Sequence, residues 1–427
     1  MTIAVLTISF LILIVLGVPI AISMVLSTMI SLLTIGNLPL QILVQRMIAG
    51  INSFPLLAIP FFILAGEILE KGGASKSLVD FSNALVGRIR GGLAMIAIVG
   101  EIFLSGVSGS SVADGSTLGA MLLPLMKKKG YDDDFSAAVI ASSATNGLII
   151  PPSNTMIVYS MAAGGVSVGA LFLGGFVPGL LLGLALMIIC YFIAVKRNYP
   201  AERPVSLKDF IRSTLSAIPA LIAIFIIIGG IVSGFFTATE AAVVAVAYSL
   251  LISFFIYRQL DYKILPKIFL NSAKTTAVVL FLIAASNAFA WILAFENVPE
   301  MIGKFILSIS SSKFIILLIT NILLLIVGCF MDMSPAILIF TPILLPIMKN
   351  IGVDPVHFGL IMMINLSIGL ITPPVGTLLF LMSSMAKISV AKLTRALWVF
   401  YIPLILILLL ITYVPSIVMF LPNLLMK

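Results

Sequence analysis

Two stretches decide how this chain folds: NGLIIPPSN at residues 146–154 and GLITPPVGT at residues 369–377. Each places a Pro-Pro pair inside a long apolar run. A proline inside a helix removes a backbone hydrogen bond and clashes with the preceding turn. The two pairs therefore predict helices that are broken in the middle, near residues 147–152 and 369–374.

The composition is that of an integral membrane protein. Of 427 residues, 61% are hydrophobic and 9% charged, whereas soluble domains carry about 25% charged residues. The net charge of +8 is spread over loop ends, which indicates membrane topology and not nucleic-acid binding. Two cysteines and one histidine argue against a disulfide scaffold and a multi-histidine metal site.

The apolar runs predict spans and hairpins in a lipid bilayer. Nine spans are expected near residues 3–35, 53–70, 135–163, 169–195, 213–232, 238–258, 275–295, 356–386 and 396–421. Two apolar hairpins with a polar or glycine-containing centre are expected near residues 91–128 and 313–349. Residues 38–54 and 259–272 are predicted to form interfacial amphipathic arms.

Basic residues predict which loops face the cytoplasm. The loop at 196–212 is basic and carries Lys196, Arg197, Arg203, Lys208 and Arg212. Counting spans from this loop places the base of the first hairpin inside and the base of the second outside. The hairpins are therefore predicted to enter the membrane from opposite faces.

The two Pro-Pro stretches belong to an internal repeat with an offset of 369 − 147 = 222 residues. Residues 106–160 and 328–382 align without a gap, and 14 of the 55 positions are identical, including prolines, glycines and the pair Asp132/Asp354. Each copy is predicted to cross the membrane three times. Since three is odd, the second copy is inverted, a layout that secondary transporters use.

The broken helices are candidate binding sites. Backbone groups freed by a break cannot face lipid and are tolerated only in protein or beside a watery cavity. Unwound carbonyls can hold a cation there, and half-helix N-termini can hold an anion. A purely structural kink is the alternative.

The hairpin tips are also polar. The first tip, SGVSGSSVADGS at 105–116, contains five serines, three glycines and Asp114. Its hydroxyls and carbonyls suit an alkali cation or a substrate carboxylate. The second tip, GCFMDMS at 328–334, carries Asp332, which can bind a cation, take a proton or bond the opposite loop. Exposure at the membrane interface is the alternative for both aspartates.

The other ionisable residues are weaker candidates. Glu67, Glu101, Glu240 and Glu296 are predicted to reach water near helix ends. His357 is expected to be structural. The sequence contains no His-Glu-x-x-His or Walker-type motif, which argues against an enzyme and against direct use of ATP.

The motifs GSSVADGSTLG, GLIIPPSNTMIVYS and GLITPPVGTLLFL resemble those of the large membrane subunit of tripartite ATP-independent periplasmic (TRAP) transporters, over essentially the whole chain. The resemblance implies an all-α polytopic fold with two inverted repeats, each with a re-entrant hairpin and a Pro-Pro-broken helix, working as an elevator. The expected organisation is a scaffold helix and arm at 1–52, the first repeat at 53–195, a cytoplasmic linker, scaffold helices and arm at 196–274, and the second repeat at 275–427.

The resemblance also implies partners in the bacterial inner membrane. A small four-helix subunit is expected as a separate chain, because no additional four-span block is recognised in this one. A periplasmic solute-binding protein is expected to deliver an organic anion, of the sialic acid or C4-dicarboxylate class, with Na⁺ as the co-transported ion. A sodium symporter that needs no binding protein remains the alternative.

Site residues follow from the same resemblance. One sodium site is expected at Ser105, Ser108, Gly147 and Pro151, and a second at Gly328, Gly369, Thr372 and Pro373. Substrate is expected to contact Ser110, Asp114, Asn154, Thr155, Asp332 and Thr377. Val375 and Gly376 replace Ser153 and Asn154 in the second copy, so the two breaks are not expected to bind substrate symmetrically.

Overall fold

The computed structural model describes residues 2–36, 38–202, 205–310 and 312–426. Twenty α-helices make up most of this part of the chain, and it contains no β-strand. Seven helical segments in it are long and apolar enough to cross a membrane. The protein is therefore an all-α, multi-pass membrane protein. Arg203, one of the five basic residues of the predicted cytoplasmic loop, lies outside the described residues.

The N-terminal region forms five helices. They are α1 (Thr2–Val15), α2 (Ile20–Ile35), α3 (Gln41–Ile51), α4 (Ala58–Lys71) and α5 (Ala74–Val86). The predicted arm at 38–54 is largely α3, which meets the following helical segment at an angle of 66°. Helix α5 has no counterpart among the predicted spans.

The prediction of one span at 3–35 is wrong, because this region folds as two short helices that pack against each other. Gly17 has a φ of +79°, a conformation that glycine adopts without strain. Pro19 follows and has no amide hydrogen to continue a helix. Together these two residues end α1 and let α2 start in a new direction.

The first Pro-Pro region contains a hairpin, a broken helix and a long helix. They are α6 (Gly92–Ser108), α7 (Ser111–Lys128), α8 (Asp133–Ala144), α9 (Asn154–Ala162) and α10 (Val168–Lys196). Helices α6 and α7 pack against each other as the arms of the hairpin. The predicted hairpin and the predicted break are both confirmed.

The middle of the chain is formed by α11 (Leu207–Val232), α12 (Ala238–Leu251, followed by a π-helical turn), α13 (Leu265–Phe295) and α14 (Val298–Ile309). The predicted boundary between an arm at 259–272 and a span at 275–295 is wrong, since Leu265–Phe295 form the single helix α13. Pro266 lies in the first turn, where proline starts a helix well. Helix α14 was not predicted.

The second Pro-Pro region repeats the same order. Its helices are α15 (Lys313–Phe330), α16 (Met333–Asn350), α17 (Pro355–Gly369), α18 (Thr377–Ala386), α19 (Val390–Tyr413) and α20 (Pro415–Leu425). The predicted second break is confirmed between α17 and α18. The single span predicted at 396–421 is wrong, because the helix ends at Tyr413 and Pro415 begins another.

The broken helices lie at the centre of the molecule. Every residue of α8 from Phe135 onward is buried, and so is every residue of α17 from Val356 onward. The first helix-breaking segment, residues 145–153, is enclosed by protein, as unpaired backbone polar groups require, whereas Pro374 and Val375 of the second are exposed.

Candidate functional site at the two helix breaks

The first break runs from residue 145 to residue 153. Thr145–Leu148 form one 3₁₀ turn, and helix resumes at Asn154. Ser153 Oγ donates to the Leu148 carbonyl over 2.9 Å and lies 2.8 Å from Thr155 Oγ1. The break is therefore a compact turn with its own hydrogen bonds.

The tip of the first hairpin sits directly on this break. Gly109 turns the chain with a φ of +60°, and a Cβ there would lie 2.6 Å from the Pro152 carbonyl oxygen. A Cβ on Gly147 would lie 2.9 Å from the backbone of Ser111 and 3.1 Å from Asp114 Oδ2. Two glycines thus allow the tip and the break to touch backbone to backbone.

The second break contacts the other arm of its hairpin. A Cβ on Gly369 would lie 2.4 Å from the carbonyl carbon of Gly328, at the end of α15. The amide of Val375 donates to the Cys329 carbonyl over 3.0 Å. In the first half the break touches the beginning of α7, the second arm, whereas in the second half it touches the end of α15, the first arm.

The structure places the two predicted sodium sets near these contacts. Ser105 Oγ donates to the Glu101 carbonyl over 2.6 Å, close to the first tip. Ser108 Oγ accepts from the Ser110 amide over 3.1 Å at the tip itself. In the second set, Thr372 Oγ1 donates to the Ile368 carbonyl over 2.8 Å.

The remaining members of both sets are backbone positions of the breaks. Pro151 is buried in the first break, and Pro373 is half-buried in the second. Gly147 touches the first tip, and Gly328 and Gly369 touch each other. Each set is therefore gathered at one break and its hairpin.

A cavity of about 490 Å³ opens beside the first tip. On one side it is lined by hairpin and break residues, among them Ser108, Ser110, Asn154 and Thr155. Helices α4 and α13 form the other side, and Ser334 of α16 contributes one residue. Three of the six predicted substrate residues, Ser110, Asn154 and Thr155, therefore share one cavity.

The other three predicted substrate residues lie elsewhere. Asp114 is buried behind the tip, with 3% of its surface exposed. Asp332 is exposed at the start of α16, close to Thr377. None of the three lines the cavity beside the first tip.

Asp114 has an unexpected neighbour in Glu101. Glu101 was predicted to reach water, and this is wrong, because its exposed fraction is 0%. Helix α6 is enclosed by α5, α7, α8 and α10, and the carboxyl groups of Glu101 and Asp114 interact electrostatically. Within the described chain, Glu101 Oε2, Asp114 Oδ2 and the nearby Ser111 Oγ have no hydrogen-bond partner.

Unpartnered buried polar atoms also occur in the breaks themselves. Asn146 is fully buried, and neither its amide nitrogen nor its amide oxygen is hydrogen-bonded among the described residues. The same holds for Asn154 Oδ1 and Thr377 Oγ1. Most buried polar groups in proteins have partners, so these atoms mark positions that suit a polar ligand. Sequence reasoning missed Asn146, although it stands directly before the glycine of the break.

The other ionisable residues have identifiable structural contacts. His357 is buried, and its Nε2 lies 2.8 Å from the Ile411 carbonyl, as expected for a structural residue. Glu240 is exposed in a capping box with Thr237 at the start of α12. Glu67 is half-buried and hydrogen-bonded to α13.

Residues 7–417 match the family model described as the DctM component of tripartite ATP-independent periplasmic transporters. The chain is 45% identical to an uncharacterized protein, YgiK, of Salmonella typhimurium over 97% of this chain and 96% of the relative. It is 42% identical to the C4-dicarboxylate TRAP transporter large permease DctM of Pseudomonas aeruginosa, over 87% of this chain and 86% of the relative.

A sialic acid TRAP transporter large permease, SiaM of Vibrio cholerae, is 36% identical over 96% of this chain and 95% of that protein. The fold is also similar to the crystal structure of the Alcanivorax borkumensis YdaH transporter, with a TM-score of 0.63 and 14% identity. The match covers 87% of this chain and 88% of that one. At this identity the structural likeness concerns the fold alone.

Proposed function

The chain belongs to the DctM component family of tripartite ATP-independent periplasmic transporters, and we propose on this premise that it performs sodium-coupled uptake of an organic-acid anion. The observation that carries the proposal is the contact of each broken helix with a hairpin through glycine, at Gly147 and at Gly369. Freed backbone carbonyls beside serine and threonine hydroxyls are hard oxygen ligands of the kind that hold Na⁺ in broken-helix transporters.

Sodium is proposed to bind at the two residue sets gathered at the breaks. The first comprises Ser105, Ser108, Gly147 and Pro151, and the second comprises Gly328, Gly369, Thr372 and Pro373. The anion is proposed to bind near Ser110, Asn154 and Thr155, with Asp114, Asp332 and Thr377 supporting this site. Relatives named for C4-dicarboxylate and for sialic acid support an organic acid as the substrate.

Coupling to sodium would supply the driving force. Each net positive charge moved inward across 100 mV releases about 2.3 kcal/mol. Since about 1.4 kcal/mol changes an equilibrium tenfold, one such charge supports roughly fortyfold accumulation. Two sodium ions per monoanion would carry one net positive charge inward.

The mechanism we propose is an elevator in the bacterial inner membrane. The two helix–hairpin copies would lie inverted in the bilayer and move together with the ions and the anion, while other helices stay fixed as the scaffold. A small four-helix membrane subunit would extend that scaffold, and a periplasmic solute-binding protein would deliver the anion. The family name, which specifies a tripartite periplasmic system, supports both partners.

Reconstitution tests the proposal. The chain and its small subunit are placed in proteoliposomes, and uptake of labelled N-acetylneuraminate and succinate is measured with and without an inward sodium gradient and a cognate solute-binding protein. Uptake that requires both the sodium gradient and the solute-binding protein supports the proposal. Sodium-dependent uptake without the binding protein would instead indicate an ordinary anion symporter, and uptake indifferent to sodium would contradict the ion sites.

A further inference from the structure

The cavity beside the first tip has two chemically different walls. The hairpin and break wall is rich in neutral hydrogen-bonding groups, among them the hydroxyls of Ser110, Ser116 and Thr155. The opposite wall, on α4, carries the carboxyl groups of Glu67 and Glu70 and the ammonium group of Lys71. An anion in this cavity therefore faces donors on one side and mostly acceptors on the other.

Glu67 keeps its charge uncompensated. Its Oε1 accepts from Asn271 Nδ2 over 3.0 Å, and its Oε2 accepts from Ser272 Oγ over 2.7 Å. Both donors are neutral, so they fix the position of the carboxylate without cancelling its charge. No ion pair involves Glu67 among the described residues.

Glu70 and Lys71 neutralise each other. Lys71 Nζ lies 3.0 Å from Glu70 Oε1, and Lys71 is the one cation among the described residues that line the cavity. The α4 wall consequently has a net charge of one negative unit, located at Glu67. A substrate group that approaches this wall meets a carboxylate that accepts hydrogen bonds and repels negative charge.

The hairpin wall is the better place for a substrate carboxylate. Helix α7 begins at Ser111 and α9 begins at Asn154, and first-turn residues of both helices line the cavity, namely Val112, Ala113, Asn154 and Thr155. Helix N-termini favour anions, and the Ser110 hydroxyl, whose oxygen accepts from the Ala113 amide, can donate its proton to the anion. The remainder of the substrate then extends toward Glu67.

We infer, on the basis of the function proposed above, that the carried anion is a hydroxylated monocarboxylate and not a dicarboxylate. Its single carboxylate binds at the hairpin wall, and its hydroxyl groups donate to Glu67 on the α4 wall. Hydrogen bonds from hydroxyls to a carboxylate are charge-assisted and strong. A second carboxylate at the same place has no proton to donate and brings a like charge into a confined cavity.

Binding to the complex of this chain and its small subunit in lipid nanodiscs tests the inference. Melting temperatures are measured in saturating NaCl, and in choline chloride as the sodium-free control, with D-gluconate, N-acetylneuraminate and succinate. A ligand that binds only the folded protein stabilises it by RT ln(1 + L/Kd), where L is the ligand concentration, so at equal concentration the tighter ligand raises the melting temperature more. At least one hydroxylated monocarboxylate is expected to bind tenfold or more tightly than succinate in sodium.

The variant Glu67→Gln tests the role of the wall. It is expected to weaken binding of the hydroxylated monocarboxylate and tighten binding of succinate, so that their ratio falls about tenfold. Glu300→Gln is the matched control, because Glu300 is an exposed glutamate on α14, and the ratio is expected to stay at the wild-type value.

Succinate binding equal to or tighter than both hydroxylated monocarboxylates overturns the inference, and so does an unchanged ratio in Glu67→Gln. Binding of neither hydroxylated compound in sodium also overturns it. If Glu67→Gln folds poorly, the relative affinities of the wild-type complex for succinate and the hydroxylated monocarboxylates still test the inference. Sodium- and binding-protein-dependent uptake of succinate in proteoliposomes would then leave the proposed transport function intact while the substrate inference fails.

Discussion

The two halves of the molecule share a plan and differ in chemistry. Adding 222 to the bounds of α7, 111 and 128, gives 333 and 350, the bounds of α16. Yet α6 and α7 lie together as a compact hairpin, whereas α15 packs mainly on α17 and has little contact with α16. The two halves therefore have the same helix order and the same position of the break, but the arms of their hairpins pack against different helices.

Buried polar groups explain part of this difference. In the second half, Asn365 Nδ2 donates to Asn321 Oδ1 over 2.8 Å, and Asn321 Nδ2 donates to Thr412 Oγ1 over 3.0 Å. These bonds fasten α15 to α17 and α19. The first half instead buries Glu101 and Asp114 between its hairpin arms. One half is fixed by paired amides, and the other holds carboxyl groups with unpartnered oxygens.

The largest expected effect is at the glycine contact of the second half. In Gly369→Ala the new methyl group would lie 2.4 Å from backbone of Gly328, which cannot rotate away. We expect a loss of about 2–3 kcal/mol in unfolding free energy, the upper part of the usual range for overpacking, together with loss of uptake. Denaturation in detergent and uptake in proteoliposomes measure the two effects.

Gly147→Ala is expected to have the smaller effect, since its nearest contact would be 2.9 Å. Gly303→Ala is the control, because its nearest contact would be an ordinary 3.4 Å. Equal stability of Gly369→Ala and Gly303→Ala would show that the second break does not depend on close contact with α15.

The next largest effect is expected at Asp354, which the internal repeat pairs with Asp132. Asp354 caps α17, with Oδ1 accepting from the Val356 amide over 2.7 Å. We expect Asp354→Ala to lower the unfolding free energy by about 1 kcal/mol, as loss of an N-cap does, whereas Asp354→Asn should retain most of the stability. Chemical denaturation of both variants measures this, and equal losses would contradict the capping role.

Substitution in the buried acidic pair of the first half, Glu101 and Asp114, is expected to raise the unfolding free energy, whereas Asp354→Ala lowers it. Glu101→Gln keeps the shape of the side chain and removes one of two interacting buried acids. We expect the unfolding free energy at pH 8 to rise by about 1 kcal/mol, because an enclosed carboxyl group must either keep a charge without a full set of partners or take up a proton from solution, and both are unfavourable. Asp332→Asn, at an exposed position, should change it by less than about 0.5 kcal/mol. A lower stability of Glu101→Gln would show that the carboxylate contributes a favourable contact.

A smaller loss of stability is expected at Asp132, the counterpart of Asp354. The Tyr199 hydroxyl, at 2.6 Å, and Arg197, at 2.7 Å, hydrogen-bond its carboxylate and hold the pKa of Asp132 below its usual value. Because the folded-state pKa is the lower one, this contribution is complete above the ordinary aspartate pKa of about 3.9. It is lost as the pH falls through the folded-state value.

Asp132→Asn should therefore cost about 0.5 kcal/mol at pH 7, as exposed ion pairs do, and its difference from wild type should shrink toward pH 3. Thermal melts at a series of pH values between 3 and 7 measure the dependence. A difference that stays constant over this range would contradict the ionic contribution of Asp132.

The sequence predicted the features that depend on local chemistry. Proline pairs located both breaks, and glycine with serine located the first tip, because these residues alter the backbone wherever they stand. It failed at Gly17–Pro19, where a short interruption inside a continuous apolar run divides the helix. It also failed to reveal α5 and α14, which are too short to read as membrane spans.

The candidate site was predicted only in part for a different reason. Burial of Glu101 depends on which helices surround α6. The residues next to Glu101 in the sequence do not specify those helices. The α4 wall requires Glu67 and Asn271 to meet although they are 204 residues apart. Contacts of this kind arise from packing of distant segments, so periodicity and motifs give no signal for them.

Helix α13 has a further consequence for how the protein sits in its surroundings. Its 31 residues extend about 46 Å at 1.5 Å per residue, while the hydrocarbon layer is about 30 Å thick. The helix must tilt steeply or project into the headgroups. Lys267 and Lys274 are exposed in its first three turns, where their ammonium groups can reach lipid phosphates. Bilayer thickness and anionic lipid content should therefore set the tilt of α13, and through its contacts with α4 and α16 the width of the cavity.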